Sequence, residues 1–149
     1  MTALLILAVV LVAALAVGVL VRRREGAVRN GSTPELGAGP RAELLAAVGV
    51  TGNVPAVVHF SAEWCGPCAA VRRVVAGVVA DLAASPQPPL DVEVDIDAQP
   101  ALARELNVLS LPTTFVFDAR GRERFRISGV PKAADLRSAV SPLTMLDAA

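Results

Sequence analysis

At 149 residues, with 14 basic and 14 acidic side chains, the chain is about one domain long and carries no basic excess to draw it to nucleic acid. Aromatic residues make up 3% of it, so a core must be built from Val, Leu, Ile and Ala around Phe60, Phe115 and Phe117. Both cysteines fall in one short motif, which excludes a disulfide framework and leaves the redox compartment open.

Residues 3–21 are uncharged and almost wholly apolar. As a helix they come to roughly 28 Å, close to the ~30 Å of a bilayer's hydrocarbon, and a single transmembrane helix is expected. Only Met1 and Thr2 precede the run, whereas Arg22, Arg23 and Arg24 follow it; a cleavable signal has its charge on the other side. With Arg29 added, the positive-inside rule places everything downstream in the cytoplasm. The opposite insertion, with the domain facing the oxidising side, is the alternative. Residues 22–40 are basic, then rich in Gly, Ser, Thr and Pro, and predict a flexible linker with no good strand between Asn30 and Pro40. The domain is expected over residues 41–149.

Arg41–Val50 reads as a short helix with Leu44, Leu45 and Val48 on one face, closed by Gly49. The apolar run Pro55–Ser61 predicts a buried central strand that ends at the motif Trp64-Cys65-Gly66-Pro67-Cys68. Beyond it Val71, Val75, Val78, Val79 and Leu82 recur at helical spacing to about Ala84. Asp91–Asp97 alternates between Val92, Val94 and Ile96 and an acidic row. A helix over Gln99–Asn107 follows, then a hairpin of Thr113–Asp118 and Glu123–Ser128, and a closing helix over Pro131–Val140. This order gives an α/β fold with a mixed central sheet and helices on both faces.

Two thiols separated by two residues can pass between dithiol and disulfide while the backbone hardly moves, and a C-x-x-C between a strand and a helix fits redox chemistry. With Cys65 as helix cap and Pro67 in the first turn, the helix N-terminus favours a thiolate on Cys65. Cys65 then attacks and Cys68 resolves.

The run Phe60-Ser61-Ala62-Glu63-Trp64-Cys65-Gly66-Pro67-Cys68 resembles the thioredoxin family, and the predicted elements from residue 41 to about 141 are similar to its fold. The resemblance implies a thiol–disulfide oxidoreductase that reduces protein disulfides without a bound cofactor. It further implies a monomer, with an NADPH-linked reductase as electron donor. Leu111-Pro112-Thr113 matches a second family signature, in which a cis proline lies against the cysteines, keeps metal away and frees the Leu111 backbone to pair with an extended substrate. Taken alone, Pro112 is a strand-start proline. Gly129, Trp64, Gly66 and Pro67 complete the implied substrate groove, and the Gly-Pro pair matches the reducing members.

Several residues depart from the family. His59, the only histidine, stands six residues before the first cysteine, where a buried acid is usual; it is either the proton acceptor for Cys68 or a satisfied core residue. Arg73 replaces a helix-kinking proline, and Ala69 and Glu93 stand where lysines are common, which puts recognition by a reductase in question. Two further functions stay open: an extracytoplasmic reductant of the cytochrome-maturation type, and a non-enzymatic metal or adaptor module. Two cysteines and one histidine offer three ligands, short of the four of a closed zinc site.

Overall fold

A computed structural model of the chain describes residues 2–24, 26–31 and 39–145. Helix α1 covers Thr2–Arg24, beyond the expected 3–21, because arginine is a good helix former and Gly26 is the first breaker. Its side chains are described only from Ile6 to Leu20 and are exposed. Among the residues so described, no helix is long and apolar enough to cross a membrane.

The expected linker over 22–40 needs correction. Arg29–Asn30 forms a short strand, β1, which pairs antiparallel with the strand Glu123–Ser128, setting Arg29 opposite Arg126 and Asn30 opposite Phe125. Gly26 N–H donates to the Ser128 carbonyl at 2.6 Å and Gly31 N–H to the Arg124 carbonyl at 2.7 Å. An open sheet edge recruits backbone whatever its side chains, which is why composition hides this strand. Gly26 has φ +76, and a Cβ there would come within 2.2 Å of the Val130 oxygen, so only glycine fits. Glu25 and residues 32–38 of the expected linker, and residues 146–149 of the expected domain, lie outside the described residues.

The remaining elements follow the expected order. Helix α2 is Pro40–Ala47, β2 Ala56–Ser61, α3 Cys68–Asp81, β3 Leu90–Asp95, α4 Pro100–Glu105, β4 Thr113–Phe117, β5 Glu123–Ser128 and α5 Ala133–Val140. A 3₁₀ turn, Ser141–Thr144, follows α5. The sheet order is β1-β5-β4-β2-β3, with β2 and β3 parallel and the other pairs antiparallel.

Several ends fall short of the sequence expectation, each for a local reason. Helix α2 stops at Ala47 because Gly49, at φ +92, lets its own N–H reach the Ala46 carbonyl and that of Val50 reach the Leu45 carbonyl. Helix α4 ends the same way: Asn107 takes φ 52, its N–H meets the Arg104 carbonyl, and Val108 N–H meets the Ala103 carbonyl. Both are left-handed caps that satisfy the last free carbonyls. Strand β3 ends at Asp95, whose carboxylate accepts the N–H of Asp97 at 2.8 Å and so turns the chain.

Strand β2 is buried along its whole length, and its alternation divides the interior in two. Val58 and Phe60 face α2 and α4, packing with Leu45, Val94, Leu102, Leu106, Phe115 and Phe117. Val57 faces α3 and α5, packing with Val71, Val75, Val78, Val116, Ile127, Leu136 and Val140. Each face buries an apolar stripe that neither a sheet nor a lone helix could hide alone.

Candidate functional site

The C-terminal end of β2 delivers the chain to the cysteines, and α3 starts on the second of them. Cys65 and Cys68 are joined as a disulfide with Cα atoms 5.5 Å apart, within the ordinary range for such a bond. Their environments differ: Cys68 is 3% exposed, whereas Cys65 is half-buried and Trp64, Gly66 and Pro67 are exposed.

Cys65 is not the helix cap expected from the sequence. Pro67 holds that place, at φ −72 and ψ −12, and α3 begins at Cys68. The two cysteines instead close a turn of their own, in which Cys68 N–H donates to the Cys65 carbonyl at 3.3 Å and Cys65 N–H donates to the Ala62 carbonyl at 3.1 Å. A bridge over two intervening residues needs that tight turn, and it pushes the helix start back to the second sulfur. No side chain caps α3 and its first turn holds no acid, so the positive end of the helix is left facing the pair.

The loop before β4 lies at the same end of the sheet. The Leu111–Pro112 peptide is cis, and Gly129 N–H donates to the Pro112 carbonyl at 2.8 Å, which ties the end of β5 to this loop. Pro112 is buried and Leu111 half-buried. Trp64 is 71% exposed, and its indole N–H donates to Asp97 at 3.1 Å. That hydrogen bond fixes the ring beside the disulfide while leaving its apolar face in water.

His59 is 2% exposed and lies on the face of β2 that α3 covers. The Cys68 sulfur rests 3.9 Å from the carbonyl oxygen of the next residue, Phe60. The imidazole Nε2 meets Asp91 Oδ1 at 3.1 Å. From sequence, Asp91 belongs to an undifferentiated acidic row; in the fold that row lies under α3, and each acid has its own neighbour. Glu93 is gripped through both oxygens by Arg72 of α3, with Nε at 2.8 Å. Arg73 is exposed, as is Ala69.

The Arg72 hydrogen bond, together with one from Ser61, holds Glu93 down at about 2, against desolvation that pushes it up. Because the folded value lies below the ordinary 4.5, the pair stabilises the fold fully above about pH 4.5 and loses that contribution as pH falls towards 2. Glu93→Gln should therefore lower the denaturation midpoint modestly near neutrality and hardly at all at about pH 2, since Arg72 is exposed and the pair is screened. Urea titrations of both proteins at the two pH values check this; an equal deficit at both would assign the loss to packing.

A cysteine pair joined as a disulfide at the end of a central strand, beside a helix start, is the arrangement of a dithiol–disulfide redox protein. The family model described as Thioredoxin matches residues 46–142, and the chain belongs to the thioredoxin family. Members of that family are thiol–disulfide oxidoreductases, and the Cys65–Cys68 pair fits their redox active site. Thioredoxin of Mycolicibacterium smegmatis is 40% identical over 86 residues, which cover 56% of this chain and 73% of that protein. The bifunctional thioredoxin reductase/thioredoxin of Mycobacterium leprae is 40% identical over 90 residues, 59% of this chain but only 19% of that much longer protein. Among solved structures, oxidised mitochondrial thioredoxin 3 of Saccharomyces cerevisiae superposes with a TM-score of 0.53 at 25% identity, covering 61% of this chain and 80% of that one.

Proposed function

We propose that the chain is a membrane-tethered reductase of protein disulfides in which Cys65 attacks and Cys68 resolves. The contrast in burial between the two sulfurs carries this assignment: a substrate can reach half-buried Cys65 but not Cys68 at 3% exposure. The Cys65 thiolate, favoured by the start of α3, attacks one sulfur of the substrate disulfide, and the other leaves as a thiol. Cys68 then gives its proton to His59 and attacks Cys65. The Cys65–Cys68 bond forms, the mixed disulfide breaks, and the substrate departs as a dithiol while the protein is oxidised. Trp64, Gly66, Pro67, Leu111, Pro112 and Gly129 line the groove in which an extended substrate pairs with the Leu111 backbone.

An external dithiol must then restore Cys65 and Cys68. The fused reductase named in the Mycobacterium leprae relative supports a thioredoxin-reductase-like donor, with the protein acting as a monomer. The tether rests on the uncharged run from Ala3 to Val21, its helical conformation in α1 and the exposure of Ile6–Leu20. Arg22, Arg23 and Arg24 support a cytoplasmic domain.

Two measurements on cells expressing the full chain test the tether and its sidedness. It should stay with membranes through an alkaline wash and leave them when residues 2–24 are deleted; release of the full chain by the wash would sink the tether. An impermeant maleimide should reach reduced Cys65 only after lysis. Labelling of intact cells would reverse the topology and favour the extracytoplasmic reductant.

A further inference from the structure

We infer that Asp91 is a positioning residue for His59, fixing which imidazole nitrogen takes the Cys68 proton and opening the route by which that proton reaches water. This rests on the reading of His59 as the proton acceptor.

The inference starts from register. Strands β2 and β3 run parallel, with Val57 opposite Asp91, His59 opposite Glu93 and Ser61 opposite Asp95, so His59 and the three acids share the face beneath α3. The nearest acid by register is Glu93, yet the imidazole reaches back to Asp91, with Nε2 to Oδ1 at 3.1 Å. Arg72 explains the choice: it occupies both Glu93 oxygens from α3 and leaves Asp91 as the imidazole's carboxylate partner. Across β4, His59 faces Thr114, which is neutral and buried. On the α3 side, Arg72 is already paired with Glu93, and the Cys68 sulfur rests 3.9 Å from the carbonyl of Phe60, the residue after His59.

Chemistry then sets the tautomer. An ionised carboxylate only accepts hydrogen bonds, so the nitrogen facing Asp91 must carry the hydrogen, and Nδ1 of the uncharged ring keeps its lone pair. Nδ1 is the atom available to a proton from inside the protein. When it takes the Cys68 proton, an imidazolium forms at a site 2% exposed, where an unpaired charge is strongly disfavoured. Asp91 offsets that charge. Its own side chain is 31% exposed, so the proton held at Nε2 can pass to a group that touches water. Cys68 and His59 are each too buried to release it directly. Of Cys68, His59 and Asp91, the first two are buried and only Asp91 reaches solvent, so Asp91 is where the proton leaves.

The test uses the full chain in detergent, reduced and mixed with dithiobis-nitrobenzoate, whose two halves leave in sequence: the first on attack by Cys65, the second on resolution by Cys68. Asp91→Asn should slow the second release about tenfold, the low end of a general-base contribution, and leave the first within about twofold. Asp91→Glu should restore most of the rate. In a His59→Ala background, where the second release is already slow, Asp91→Asn should add less than about twofold, because the two residues act as one unit. Equal slowing in both backgrounds would overturn the inference, as would a normal second release in Asp91→Asn. If His59→Ala itself resolves normally, the acceptor role falls and this inference with it; slow resolution in His59→Ala beside normal resolution in Asp91→Asn overturns this inference alone. The single histidine allows a second readout: nitrogen NMR should show a protonated Nε2 and a bare Nδ1 in the parent, and an average of the two tautomers in Asp91→Asn. An unchanged spectrum in that variant also overturns the positioning role.

Discussion

Cys65→Ser should abolish reduction of insulin disulfides by the full chain with dithiothreitol as electron source, whereas Cys68→Ser should stop after one half-reaction and accumulate as a covalent adduct. The difference follows from position. The thiolate is the attacking species, and a serine hydroxyl at residue 65 stays protonated even beside a helix start, so no mixed disulfide forms. At residue 68 the loss comes later: Cys65 still attacks, one substrate sulfur still leaves, and nothing inside the protein displaces the other. Only a slow external thiol can free the adduct. Non-reducing gels and intact mass should show the adduct in Cys68→Ser alone. An adduct in Cys65→Ser, or normal turnover by Cys68→Ser, would reverse the roles assigned from the 3% exposure of Cys68.

The site was legible in sequence because its central chemistry is local. A strand run, two thiols two residues apart and a 3.6-residue apolar period need no tertiary information, so β2, the cysteine turn and α3 could all be placed. The helix start could not be placed to the residue, since the disulfide turn competes with it. Strand β1 is silent in the sequence because Arg29 and Asn30 carry no strand signal of their own; the open edge of β5 makes that strand, and an edge does not appear in one-dimensional pattern. The partner of His59 was hidden for a related reason. Asp91, Glu93 and Asp95 alternate identically, and only the register of β2 on β3, together with the reach of Arg72, separates the acid that meets the imidazole from the one that does not. Local patterns thus disclose the nucleophile, while its supporting charges depend on contacts between elements far apart in the chain.

The largest loss of stability is expected from Phe115→Ala. With so few aromatic residues, the core on the α2 and α4 face depends on three of them, and Phe115 sits among the others. Its ring is fully buried, meets Phe60 edge to face at 5.8 Å and stacks on Phe117 at 6.2 Å. The Arg126 guanidinium lies over the ring, 4.5 Å from its centroid. Truncation removes the transferred area and leaves a cavity that the neighbours cannot fill: Phe60 and Phe117 are held on β2 and β4, and Val58, opposite Phe115 on β2, is too short to cross the gap. The expected cost is about 3–5 kcal/mol, against roughly 5–15 kcal/mol for a whole domain. Melting should fall by more than about 10 °C. Trp64→Ala is the contrast: at 71% exposure its removal should change the melt by less than about 0.5 kcal/mol while weakening contact with apolar substrate segments. Urea melts of the two variants decide the matter. A Phe115→Ala deficit below about 1.5 kcal/mol would mean that the sheet closes over the missing ring, and that the three phenylalanines do not set the rigidity of the strand delivering His59 and the cysteine turn.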